Sequence, residues 1–101
     1  MAASAARQAS LLNQMLSELS ESVSGLETAQ RTGTLIATRF LPQAELSFQS
    51  ALSGYETGKL DFATLLDAQR QILKARQQSI KAQYEAQLRL TEIERLIGEE
   101  L

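Results

Sequence analysis

The chain has 101 residues, 44% of them hydrophobic, with 10 Lys+Arg against 12 Asp+Glu and a net charge of −2. That length bounds it to one domain, and the charge leaves no cationic excess to hold a nucleic-acid backbone. Cys and His are absent, which removes disulfides, thiolate or imidazole metal sites and every triad that needs an imidazole. No apolar run approaches the ~20 residues of a membrane span, and the opening MAASAARQAS lacks the apolar region of a signal peptide. Ala, Gln, Leu, Ser, Glu and Arg dominate, while β-branched and aromatic residues are scarce. That mixture belongs to long helices and coiled coils. The expected fold class is all-α.

The first helix is expected from about residue 4 to 57. Leu12, Leu16, Leu19, Val23 and Leu26 recur at steps of four and three and form a seam. The same register continues through Gln30, Gly33, Ala37, Phe40, Ala44 and Ala51, with Phe48 and Leu52 beside it. The seam therefore turns small and partly polar after Leu26. Glu27 and Arg31 stand at the favourable spacing for a helix-surface pair. Thr32-Gly33-Thr34 is a weak spot, since Gly costs ~1 kcal/mol relative to Ala in a helix interior. Pro42 removes a backbone donor and clashes with the carbonyl of Thr38, so a kink is expected in an otherwise continuous helix.

The turn is expected over residues 58–61. Gly58 suits the left-handed residue that closes a helix. Asp61 suits the N-cap of the next, its carboxylate accepting from the amide of Ala63 or Thr64. Leu60 and Leu65 have the spacing of a hydrophobic staple. So short a connection forces neighbouring antiparallel helices. The expected architecture is a long antiparallel helical hairpin turning near Gly58.

The second helix is expected over about residues 62–97, stopping at Gly98. Its apolar stripe reads Leu65/Leu66, Ile72/Leu73, Ile80, Tyr84, Leu88, Ile93 and Leu96/Ile97. Lys81–Glu85, Glu85–Arg89 and Glu92–Arg95 are candidate surface pairs. Each arm reaches ~50 Å or more, and the first exceeds the second by roughly 17 residues. The seam from Leu12 to Leu26 is thus expected to lack a partner within the chain and to drive self-association into a dimer or larger species.

Catalytic chemistry finds little footing. Glu92/Glu94 and Glu99/Glu100 read as solvated helix or chain-end charges, and Asp67 reads as a helix charge near an N-terminus, paired with Arg70. Met1 and Met15 form no thioether metal site. The scattered glutamines, Gln69 to Gln87, mark a helix face touching water and other helices. No catalytic residue, metal site or cofactor is expected.

Around the turn a pattern stands out: Tyr55-x-x-Gly58-x-x-x-Phe62-x-x-Leu65-Leu66-Asp67-Ala68-Gln69-Arg70, with Leu41-Pro42-Gln43-Ala44 upstream and Leu96-x-Gly98 downstream. Over residues 41–98 it resembles the C-terminal periplasmic hairpin of the outer membrane factors, the TolC-like efflux channels, and within them the heavy-metal (Czc/Cus-type) branch. The first 40 residues resemble them only as generic coiled coil.

The resemblance implies a trimeric channel in the Gram-negative envelope, exporting metal ions or small toxic compounds. Its periplasmic hairpin tips meet those of an adaptor protein linked to an inner-membrane pump. It implies an adaptor-docking tip at Tyr55, Gly58, Lys59 and Leu60. An acidic ring near the closed aperture would include Asp67, with Thr64 standing where some members carry a second acid. Barrel, first hairpin, equatorial strand and lipidated Cys have no counterpart here, so the chain reads as an excised piece that conducts nothing itself. The alternative readings are an adaptor-type hairpin or generic coiled-coil scaffold and, third, a catalytic or metal-buffering bundle. The last is opposed by the missing His and Cys.

Overall fold

The computed structural model describes residues 2–100, and the side chains of residues 3–98. Helix α1 (Ala2–Leu35) passes through a π-helical turn (Ile36–Phe40) into helix α2 (Leu41–Glu56), and helix α3 (Phe62–Glu100) returns alongside. The arms are antiparallel. Leu60 touches the Gly54 position at the turn, and Ser22 bonds to Glu92 near the far end. The result is a rod of 82 × 20 × 14 Å, with no strand among the described residues. The all-α hairpin expected from the sequence is the observed fold.

What lies between the arms differs from the expected stripes. The buried residues are Ser22, Ala29, Ile36 and Ala51 on the first arm and Ala75, Ala82 and Leu96 on α3. Small side chains let the two backbones approach closely, and larger ones would hold them apart. Ile36, 2% exposed, is the one large side chain fully enclosed among the described residues. Of the expected α3 stripe, Leu96 is buried and Leu65, Leu66, Ile72 and Ile93 are half-buried, but Leu73, Ile80, Tyr84, Leu88 and Ile97 are exposed, Ile80 at 66%. On the first arm Leu12, Leu16 and Val23 are likewise exposed, whereas Leu19 and Leu26 are half-buried. The expected seam thus shares Leu19, Leu26, Gly33, Ala44 and Ala51 with the observed one, while Leu12, Leu16, Val23, Gln30, Ala37 and Phe40 are exposed.

The partner-less seam needs a second correction. Leu96 is buried and lines a small cleft with Met15, Leu16, Leu19 and Ile97. The pairing of arms runs outward from the turn, and α3 is 39 residues long, so it covers the first arm back to Met15. Leu19 and Leu26 have their partner inside the chain.

Gly98 does not end α3, which runs on to Glu100. A glycine stops a helix by turning left-handed, and among the described residues Gly58 alone has a positive φ. Pro42 does not break the first arm either. The chain widens into the π turn just before it, and the Leu41 N–H donates to the Ile36 carbonyl, five residues back. The Thr38 hydroxyl donates to the Thr34 carbonyl at 2.6 Å.

Candidate docking tip and hairpin flanks

The tip is a pair of interlocked caps. At the end of α2 the Lys59 N–H donates to the Gly54 carbonyl at 2.7 Å and the Gly58 N–H to the Tyr55 carbonyl at 3.1 Å. This is the double closure of a Schellman motif, and it requires the left-handed conformation that Gly58 supplies at φ 76°. The Thr57 hydroxyl donates to the Ser53 carbonyl at 2.9 Å, occupying another acceptor at the helix end. The start of α3 is closed by Asp61, whose Oδ1 accepts from the Thr64 hydroxyl at 2.7 Å and from the Thr64 N–H at 2.9 Å. The hydroxyl bond first, and the amide bond second, hold the Asp61 carboxyl below its ordinary range.

Two residues at the tip carry more than the sequence reading gave them. Gly54 lets Leu60 pack against the helix: a Cβ there would lie 2.7 Å from Leu60 Cδ1, so the leucine side chain would have to shift. A glycine one helical turn before Gly58 was the available signal. Thr64 is engaged in the Asp61 cap, so its hydroxyl is tied to the turn. Tyr55 and Phe62 meet edge to face, ring centroids 6.0 Å apart, and both stay exposed. Lys59 is exposed beside them, and Leu60 remains 39% exposed over Gly54. The four tip residues expected from the resemblance are therefore together at one end of the rod.

The two flanks of the rod differ in chemistry. Along one, Glu21, Ser24, Thr28 and Thr32 face Gln78, Lys81, Glu85 and Arg89 across an open groove. Counting by sevens from Thr64 along the same side of α3 gives Gln71, Gln78, Glu85 and Glu92, and from Asp67 it gives Lys74 and Lys81. Asp67 is exposed on this polar side and, among the described residues, pairs with neither Arg70 nor any other group. On the other flank Leu16 and Ile97 share their cleft.

One polar clasp crosses the seam. Buried Ser22 donates to Glu92 Oε2 at 3.0 Å, and Arg89 Nη1 donates to the same oxygen at 3.3 Å. Arg89 lies over Gly25, where a Cβ would come within 2.6 Å of its Nε. Glu92 is thus half-buried rather than a solvated surface charge, and Arg89 turns to it instead of to Glu85. The clasp was hidden because its members lie 70 residues apart. Met1 and the side chains of Glu99 and Glu100 lie outside the described residues.

Comparison with known proteins places this geometry. The family described as outer membrane efflux protein matches residues 1–99. The chain belongs to that family. Its heavy-metal branch is represented by the cobalt-zinc-cadmium resistance protein CzcC of Cupriavidus metallidurans. That relative is 31% identical over 73 residues, 72% of this chain and 18% of the relative. The chain spans less than a fifth of that protein's length. No solved structure matches it. Among the described residues no group of three or more metal-binding side chains converges, and no helix is long and apolar enough to cross a membrane.

Proposed function

We propose that this chain is the tip hairpin of an efflux channel, lying in the periplasm and docking the hairpins of an adaptor protein at Tyr55, Gly58, Lys59 and Leu60. The carrying observation is the double cap, which fixes the turn by backbone bonds and leaves the aromatic pair, Lys59 and part of Leu60 facing outward. A rigid apolar patch with a charge at its edge suits a helical partner, because little ordering entropy is lost on docking. In the parent channel, a trimer exporting metal ions or small toxic compounds, Asp67 of each copy contributes to a ring at the aperture. The unpaired carboxylate on the polar flank supports that role, since like charges near a narrow passage attract cations. Thr64 contributes through the Asp61 cap.

The experiment uses the full-length channel. Gly58→Val should lower adaptor cross-linking and efflux resistance, and Asp67→Asn should change cation block while leaving the helices intact. Wild-type cross-linking and resistance in Gly58→Val would take the tip out of the docking site. Unchanged cation sensitivity in Asp67→Asn would return that residue to a solvated helix charge. Alone, the chain associates as a dimer or larger species through the exposed part of its seam, Leu12, Leu16 and Val23, with Leu19 and Leu26 already held by α3. Sedimentation of Leu16→Glu should show a smaller species than the parent chain. An unchanged distribution would refute that role for the seam.

A further inference from the structure

Along α3 the inward residues advance without interruption in steps of three and four, from Leu65 through Ala75 and Ala82 to Leu96. The first arm does not keep that rhythm. Its inward residues step regularly from Met15 to Ile36, then jump five places to Leu41, and step regularly again through Ala44, Phe48 and Ala51. The jump coincides with the π turn, whose closing bond joins the same two residues, Leu41 N–H to the Ile36 carbonyl.

We infer that the π turn is a phase corrector: it absorbs one surplus residue of the first arm so that α1 and α2 both present their apolar stripe to the unbroken seam of α3. One residue rotates an α-helix by ~100°, so without the correction everything beyond Ile36 would face a different direction. The stripe then brought to α3 would be Phe40, Gln43, Ser47 and Ser50. The π turn substitutes Leu41, Ala44, Phe48 and Ala51, replacing three polar side chains by apolar ones. Ile36, the most enclosed side chain, and Leu41 anchor the two ends of the wide turn. Pro42 is a tolerated neighbour, its missing N–H falling where the helical bonding is already displaced. The cause is the residue count.

Variants of the full-length channel separate the two causes, independently of whether the tip docks an adaptor. Deleting Ala37 should convert residues 36–41 to regular α-helix with Ile36 and Ala51 still buried. Pro42→Ala, which keeps the surplus residue, should retain the π turn. Inserting a second alanine after Ala37 should misphase the arm and lower the melting temperature by more than the deletion does. A structure of Pro42→Ala with regular α-helical bonding through Leu41 would overturn the inference and make proline the cause. So would a deletion variant in which Ala51 has left the seam.

Discussion

The inner seam and the outer face of α3 are built from opposite kinds of residue. Ala75 and Ala82 lie buried against the first arm, while Ile80 and Tyr84, on the same helix, are about two-thirds exposed at 66% and 65%. Burial stabilises by ~25 cal/mol per Å² of apolar surface, so an alanine seam contributes little area and holds by closeness of approach. The larger residues are left for other surfaces. Contiguous exposed apolar side chains mark places where something else packs, in keeping with the role proposed above. The comparison teaches that this pair of helices is specified by what fits between them.

Substitutions that cross the two faces sharpen the contrast. Ala82→Leu should be the most damaging, because the vacant Cβ position of Gly33, 3.8 Å from Ala82 Cβ, leaves room for about one carbon at ordinary contact while leucine adds three to a buried site. Overpacking of this kind costs ~1–3 kcal/mol, readable as a lower denaturant midpoint. The outward Ile80→Ser, a larger chemical change, should shift the hairpin's own stability by less than ~0.5 kcal/mol. Equal losses at both positions would break the distinction.

Gly58→Val comes next, at ~1–2 kcal/mol for a β-branched residue forced into the left-handed region. The expected readout is a lower melting temperature with helix content retained. The smallest effect belongs to Asp61. Its carboxyl titrates below the ordinary value of 3.8 in the folded chain. A lowered folded value means that its contribution is fully present above pH ~4 and fades as pH falls through the folded value. Asp61→Asn should flatten that acid limb of the stability–pH curve and leave neutral pH little changed, as followed by circular dichroism.

Local rules made the turn legible in the sequence. Gly58 and Asp61 sit where backbone geometry and capping demand them, and the structure places both in those roles. The seam was not legible in the same way. A helix carrying two stripes, one of large apolar residues and one of alanines, has two periodic solutions, and periodicity does not say which is inward. Choosing the larger residues put Leu16, Val23, Ile80 and Tyr84 inside, where close approach excludes them. The π turn escaped for a related reason: the expected stripe ran through Ala37 and Phe40 to Ala44 without needing a surplus residue. Of the candidate site, Tyr55, Gly58, Lys59 and Leu60 came from the family resemblance around the turn, and the structure groups them at one end of the rod. Gly54 and the Ser22–Glu92–Arg89 clasp emerged only once the arms were side by side.

A pair of cysteines tests the inner seam most directly, since the chain has none of its own. Gly33→Cys with Ala82→Cys places two Cβ atoms 3.8 Å apart, the mean spacing across a disulfide being ~3.8 Å. This pair should oxidise rapidly within one chain, as read by mobility on non-reducing gels. Gln30→Cys with Tyr84→Cys, positions that face each other only if the large residues are inside, should stay reduced under the same conditions. Oxidation of the second pair and not the first would contradict the account.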